Sequence, residues 1–239
     1  MNGGFFWDDM KYVGDNDMLK RADGLRPIWF EPKAYKMQFY PITYSTLWLD
    51  YKIGGADSTL SYHLVNVVIH ALNAILVWVL LQRLKVPGAF FAGLLFAVHP
   101  INVESVAWIT ERKNVLSCMF YLLAILAWMN YSRRNGIHRY LLALFFFSCG
   151  MLSKTLVATL PFVLLLWIWW KAKKKSYGRE LIGLTPMVAI GLGFVKITMW
   201  LESRHTEGHD YGLSFLDSCI IAGRALWFYI GSLLWPFHT

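Results

Sequence analysis

Long apolar stretches separated by short polar ones run through this chain, with more apolar length than one soluble core could absorb. After a polar head covering residues 1–60, apolar stretches occupy roughly 61–82, 86–98, 114–131, 140–152, 155–170, 181–201 and 215–235. The second and fourth hold only about 13 residues. At 1.5 Å per residue these reach about 20 Å, against a hydrocarbon core of about 30 Å. They are expected to be thinned, tilted or broken spans, or re-entrant pieces. The pattern predicts an all-α integral membrane protein, a polytopic helix bundle of about seven apolar segments over 61–239, preceded by a long first loop over 1–60.

Composition agrees. Of 239 residues, 56% are hydrophobic, 17% aromatic and only 16% charged, with mean hydropathy +0.41. Soluble domains carry nearer a quarter charged residues, so soluble, disordered and coiled-coil classes are excluded. The formal net charge of +8 raises the question of nucleic acid. Its distribution excludes that reading. Beyond residue 60, ten of the sixteen basic residues form three short clusters: Arg83 with Lys85; Arg133, Arg134 and Arg139; and Lys171, Lys173, Lys174, Lys175 and Arg179. Basic residues in short loops mark the cytoplasmic side of a membrane.

These clusters orient the bundle. If the first two lie on one side, an even number of crossings separates them, and 86–98 with 114–131 supplies two. The same parity makes 140–152 and 155–170 a pair. The head, the stretch His99–Lys113, the bend at Ser153–Lys154 and the loop Glu202–Leu213 are then all expected to face outward.

The candidate chemistry falls in or near those segments. Asp8 and Asp9 follow Phe5-Phe6-Trp7, an aromatic run that would hold them at the interface, where one carboxylate can act as a general base while its neighbour orients. The stretch His99 to Trp108 reads as a short interfacial helix with Pro100 at its first position. Val103, Val106 and Ala107 would share one face, with Glu104, Trp108 and Glu111 on another. His99 serves equally as a helix cap, and Glu104 as a solvated charge. His63, Asn66, His70 and Asn73 form a polar stripe on the first span. It suits interhelical hydrogen bonds or a wet cavity, with His63 nearest the outer side. Lys154 at an outward bend, like Arg112 and Lys113, calls for an anionic partner or for snorkelling to headgroups. His205 and His209 have metal-ligand chemistry, but they flank a glycine in a loop, a weak arrangement for a metal. Cys118, Cys149 and Cys219 show no metal-like spacing.

Several blocks together resemble a known family: Phe6-Trp7-Asp8-Asp9, Tyr40-Pro41-Ile42-Thr43, the His63–Asn73 stripe, Phe96 to Trp108, and Leu152-Ser153-Lys154 with Pro161. They resemble the transmembrane-and-tetratricopeptide-repeat proteins, O-mannosyltransferase-like enzymes similar to the GT-C glycosyltransferases. The resemblance covers nearly the whole chain, most specifically at His-Pro-x-x-Val-Glu-Ser-Val-Ala-Trp.

It implies a bundle of GT-C type that transfers a sugar, such as mannose, from a polyprenyl-phosphate donor to a hydroxyl of a protein or glycan acceptor outside the cytoplasm. By the same resemblance, Asp8, Asp9 and Glu104 would be catalytic. His99, Lys154, Arg112, Lys113 and His63 would bind the donor phosphate or substrate. No cofactor is required, and a divalent metal is left open. Membrane lipids would be partners and nucleic acid would not. The membrane would be the bacterial inner membrane, or the ER membrane in a eukaryote. The family also has a membrane helix before the acidic loop and a repeat tail, so the resemblance implies either a head translocated without its anchor or a piece lacking both. The alternative is a non-enzymatic polytopic protein, either transporter-like or an anchor for a missing repeat domain.

Overall fold

A computed structural model describes residues 8–31, 35, 38–55, 59–171, 178–205 and 214–234. Side chains of residues 171, 202–205, 215 and 234 are not described. The described residues are mostly helical and contain no strand, in keeping with the apolar periodicity.

The head folds. A π-helical turn (Met10–Gly14) leads to α1 (Asp17–Lys20), α2 (Leu25–Phe30) and the longer α3 (Pro41–Gly54). Asn16 caps α1 by accepting the N–H of Met18 at 3.0 Å. Proline at the first position of α3 sets the entering dihedral. Tyrosines build the core: Tyr12 stacks on Tyr44 at 5.6 Å, and Tyr35 meets Tyr44 edge-on at 4.9 Å. Tyr62 from the first span and Ile109 from the second outer stretch belong to the same buried cluster. The head is therefore packed onto the bundle.

The bundle consists of α4 (Thr59–Arg83), α5 (Ala89–Val98), α6 (Val103–Ala107), α7 (Arg112–Arg134), α8 (Ile137–Met151), α9 (Leu160–Lys171) and α10 (Gly178–His205), and α11 (Phe215–Leu234) follows, exposed along almost all of its described length. Short 3-10 turns cover Pro100–Asn102, Ile109–Glu111 and Thr155–Thr159. Among the described residues, three segments are long and apolar enough to cross a membrane: Thr59–Arg83, Ile109–Arg134 and Gly178–Leu201. α5 with Pro100–Ala107 forms a bent fourth candidate, broken by 51°. The break lies at His99, whose extended backbone is what the following proline demands. Ile137–Met151 and Thr155–Trp170 are shorter apolar helices.

The interfacial helix expected over His99–Trp108 is divided. A 3-10 turn starts at Pro100, a single α-helical stretch follows, and Trp108 leaves the helical region before a second 3-10 turn. Trp108 is thereby removed from the Glu104 face.

The largest buried cluster joins α7, α8, the 155–159 turn, α9 and α10. There Trp128, Phe147, Leu160, Leu164 and Met187 are fully buried. α4 and α5 meet at Gly93, where a Cβ would lie 2.8 Å from Trp78 Cβ and 3.0 Å from the Ala74 carbonyl. Elsewhere large apolar side chains point outward, such as Phe91, Phe162, Trp169 and Trp227. That surface suits lipid.

Candidate functional site

Four separate stretches of sequence meet at one end of the bundle. The start of α3 reaches the bend after α8: the Ile42 N–H donates to the Leu152 carbonyl at 3.3 Å, and Thr43 Oγ1 donates to the Ser153 carbonyl at 3.1 Å. The head also reaches the stretch before α7, where the Thr110 N–H donates to Asp9 Oδ1 at 3.0 Å. Two residues of the basic clusters, Arg83 and Arg133, meet at the other end. Arg83 donates to Asn130 Oδ1 at 2.8 Å, and Arg133 donates to the Arg83 carbonyl at 3.1 Å.

The two adjacent carboxylates are placed differently. Asp9 is 2% exposed and holds the 109–111 turn against the head. Asp8 is half-buried beside it. The Thr110 N–H is buried and needs an acceptor, and the Asp9 carboxylate supplies it. Glu104 is exposed on α6. His99 acts as a cap, its Nδ1 accepting the Ile101 N–H at 3.2 Å.

Arg112 occupies a place unlike the one expected for a phosphate ligand. It is wholly buried. Its Nε donates to Asn66 Oδ1 at 2.8 Å, one Nη donates to the Tyr62 carbonyl at 2.8 Å, and the other is ion-paired with Asp50 of α3. The guanidinium also lies 5.9 Å from the Tyr62 ring centre. A planar fork with five donors can join a head helix to a membrane helix in this way, whereas a point charge cannot. Asp50 was missed by sequence reasoning. A signal existed, because Thr43, Leu47 and Asp50 share the buried stripe of α3, and a buried carboxylate requires a cation.

Lys154 stands at the mouth of a cavity of about 520 Å³ between α7 and the 155–159 turn, lined also by Asn114, Ser117, Tyr121 and Thr159. Its ammonium donates to Asn114 Oδ1. Asn114 Nδ2 donates in turn to Ser105 Oγ at 3.0 Å and to Glu111. Lys113 pairs with Glu111 at 3.0 Å and lies 5.3 Å from the Tyr12 ring centre. Burial lowers the Lys154 pKa, opposed by Glu111 and aided by the positive charge of Lys113. Asn114 is the second residue that the sequence did not single out. It joins three outer segments and carries no pattern of its own.

The polar stripe of α4 faces the bundle interior. Asn66 donates to the Trp108 carbonyl at 3.1 Å, His70 Nε2 meets the Ala97 carbonyl at 3.1 Å, and Asn73 donates to the Val115 carbonyl at 2.8 Å. Three of the four thus serve interhelical bonds. His63 is half-buried and lines a separate cavity of about 370 Å³, with His70, His99, Asn102, Val103 and Val106. Val103, Val106 and Ala107 share that cavity wall, the common face expected of them.

Phe5-Phe6-Trp7, the lysines at 173–175 and the histidine at 209 lie outside the described residues, as does the side chain at 205.

Residues 40–200 match the family described as dolichyl-phosphate-mannose-protein mannosyltransferase. Among similar proteins, the chain is 32% identical over 139 residues to the protein O-mannosyl-transferase F38B6.6 of Caenorhabditis elegans, covering 53% of this chain and 20% of that protein. It is 34% identical over 150 residues to the protein O-mannosyl-transferase Tmtc1 of Drosophila melanogaster, covering 58% and 17%. It is 37% identical over 165 residues to the protein O-mannosyl-transferase tmtc2 of Xenopus laevis, covering 63% and 20%. The chain therefore spans about a fifth or less of the length of these relatives. No solved structure matches it. The resemblance carried by the sequence blocks is borne out. This polytopic membrane chain belongs to the dolichyl-phosphate-mannose-protein mannosyltransferase family.

Proposed function

We propose that the chain forms the outward-facing reaction site of a membrane O-mannosyltransferase, moving a mannosyl group from a polyprenyl-phosphate donor to a protein hydroxyl. One observation carries the reading. The segment Thr110–Asn114 binds Asp9 at its start and Lys154 at its end, so the acidic pair and the outer cation share one scaffold. The polyprenyl tail would follow the lipid-facing surface while Lys154, with Lys113 near it, holds the phosphate. Negative charge grows on that phosphate as the C1–O bond breaks, and a fixed cation stabilises it.

Asp8 is the acceptor-side group, because Asp9 is committed to Thr110. The acceptor oxygen attacks C1, its proton passes to the Asp8 carboxylate, and the lipid phosphate departs with the bonding electrons. This single displacement requires neither a covalent glycosyl-enzyme nor a metal. His99 and His63 line the α4–α6 cavity and Glu104 stands exposed on α6, and these three would bind acceptor or sugar hydroxyls. In a eukaryote the site would face the ER lumen, and in a bacterium the outer side of the inner membrane.

The test is mannosyl transfer from a polyprenyl-phosphate mannose donor to a serine- or threonine-containing acceptor. Asp8→Asn is expected to lower turnover by about 10²- to 10⁴-fold, the contribution of a positioned base. Asp9→Asn acts through loop placement, and Lys154→Gln raises the donor KM. Transfer unchanged in both Asp8→Asn and Lys154→Gln would reject the assignment and favour a non-enzymatic role.

A further inference from the structure

At the end of the bundle opposite the proposed site, a cavity of about 420 Å³ lies between the α7–α8 turn and the start of α10. Its walls include Tyr131, Asn135, Gly136, Tyr140, Arg179 and Gly183. We propose that this cavity binds the phosphate headgroup of an anionic membrane lipid.

The charges come first. Arg179 lies 5.9 Å from the Tyr131 ring centre, and among the described residues no carboxylate pairs with it. Arg139 donates to the carbonyl of Asn135, another wall residue. A Cβ at residue 136 would meet Arg139 Nη1 at 3.0 Å, and Gly136 has φ +109°, so glycine is what lets this guanidinium lie across the turn. Glu180 is the sole acidic residue from Arg112 to Leu201, and Ser132 Oγ donates to it. Two cations thus stand beside an interhelical cavity whose nearest carboxylate already has a partner.

The helix ends agree with the charges. Arg139 and Arg179 lie in the first turns of α8 and α10, where a cation opposes the helix dipole. Gly136 offers no side-chain cap to α8. An anion in the cavity reverses the unfavourable field at both helix starts and supplies acceptors to the guanidinium N–H groups. The walls are aromatic. Tyr131 and Tyr140 rings lie 5.4 Å apart, and the Tyr140 hydroxyl is committed to the Gly183 carbonyl at 3.1 Å. Such walls suit the glycerol and upper acyl region of a lipid, with the phosphate at the arginine rim. Basic cavities between helices are a recognised mode of headgroup binding.

The purified full chain in neutral detergent would be titrated with phosphatidylglycerol, phosphatidylcholine or inorganic phosphate, with bound lipid counted by native mass spectrometry. Phosphatidylglycerol is expected to remain bound where phosphatidylcholine does not. Arg179→Gln should weaken retention by about tenfold or more, a loss of about one charge-assisted hydrogen bond. Arg134→Gln removes the same charge from the neighbouring basic cluster, that of Arg139, but does not line the cavity, and it should stay within about twofold of the parent. Equal losses in the two variants would mean diffuse charge attraction and overturn the proposal. Equal retention of both lipids, or equal occupancy by inorganic phosphate, would overturn the headgroup assignment.

Discussion

Replacing Asp50 by alanine removes the carboxylate that faces Arg112 and leaves the rest of α3 in place. The Arg112 side chain is 0% exposed and that of Asp50 9% exposed, so the remaining guanidinium has no water to turn to. Removing one partner of a buried pair costs about 3–5 kcal/mol. Asn66 and the Tyr62 carbonyl still accept from Arg112, which places the loss near the lower end, about 3 kcal/mol. In a chain of this size each kcal/mol lowers Tm by about 2–4 °C, so Asp50→Ala should unfold about 6–12 °C earlier. Asp50→Asn keeps an acceptor oxygen and should cost about 1–3 kcal/mol. Thermal unfolding in detergent, followed by tryptophan fluorescence and circular dichroism, measures both. Adding Arg112→Met to Asp50→Leu removes the uncompensated charge and should recover much of the loss. Arg112→Lys keeps the charge but lacks the fork, so it should resemble Asp50→Ala in stability. An Asp50→Ala protein within about 1 kcal/mol of the parent would refute the buried clamp.

Lys154 offers a test by pH. Burial lowers its pKa, so the ammonium is lost on raising the pH before an ordinary lysine, of pKa about 10.4, would lose its charge. Donor kcat/KM should therefore fall on the alkaline side, and Asn114→Asp, which sets a carboxylate against Lys154, should move that fall to higher pH. For stability the sign is opposite: the folded state disfavours charged Lys154, and that penalty shrinks as pH rises above the lowered value and is gone above about 10.4, where the unfolded chain also loses the charge. Gly93→Ala should part α4 from α5 at a cost of about 1–3 kcal/mol, visible as a lower Tm, because the Ala74 carbonyl and Trp78 Cβ leave no room. Asn73→Val removes the bond to the Val115 carbonyl and should cost about 0.6–2 kcal/mol, with no change in donor KM.

The apolar segments were legible because a helix in lipid must satisfy its backbone internally, which makes membrane helices a local property of sequence. α4, α7, α8, α10 and α11 accordingly begin and end within a few residues of the apolar stretches. The stripe His63-Asn66-His70-Asn73 was legible for the same reason, since helical spacing alone puts it on one face. The broken helix after His99 was not. Its interruption at Trp108 comes with Asn66 taking the Trp108 carbonyl and Asp9 taking the Thr110 N–H, both from outside the segment.

Read alone, the sequence yielded the class of fold, the basic clusters and the short list of candidate polar residues. Each follows from hydrophobicity and charge counted along the chain. Only the tertiary structure decided which of those residues are free to meet a ligand. Asp9 is joined to Thr110 across 101 residues, Arg112 to Asp50 across 62, and Lys154 to Asn114 across 40. Such pairings depend on which helices pack together, and side-chain geometry then separates a buried guanidinium from an ammonium at a cavity mouth. Arg112 and Lys154 are both outer cations in the sequence. In the fold one is a clamp and the other faces a space large enough for a ligand.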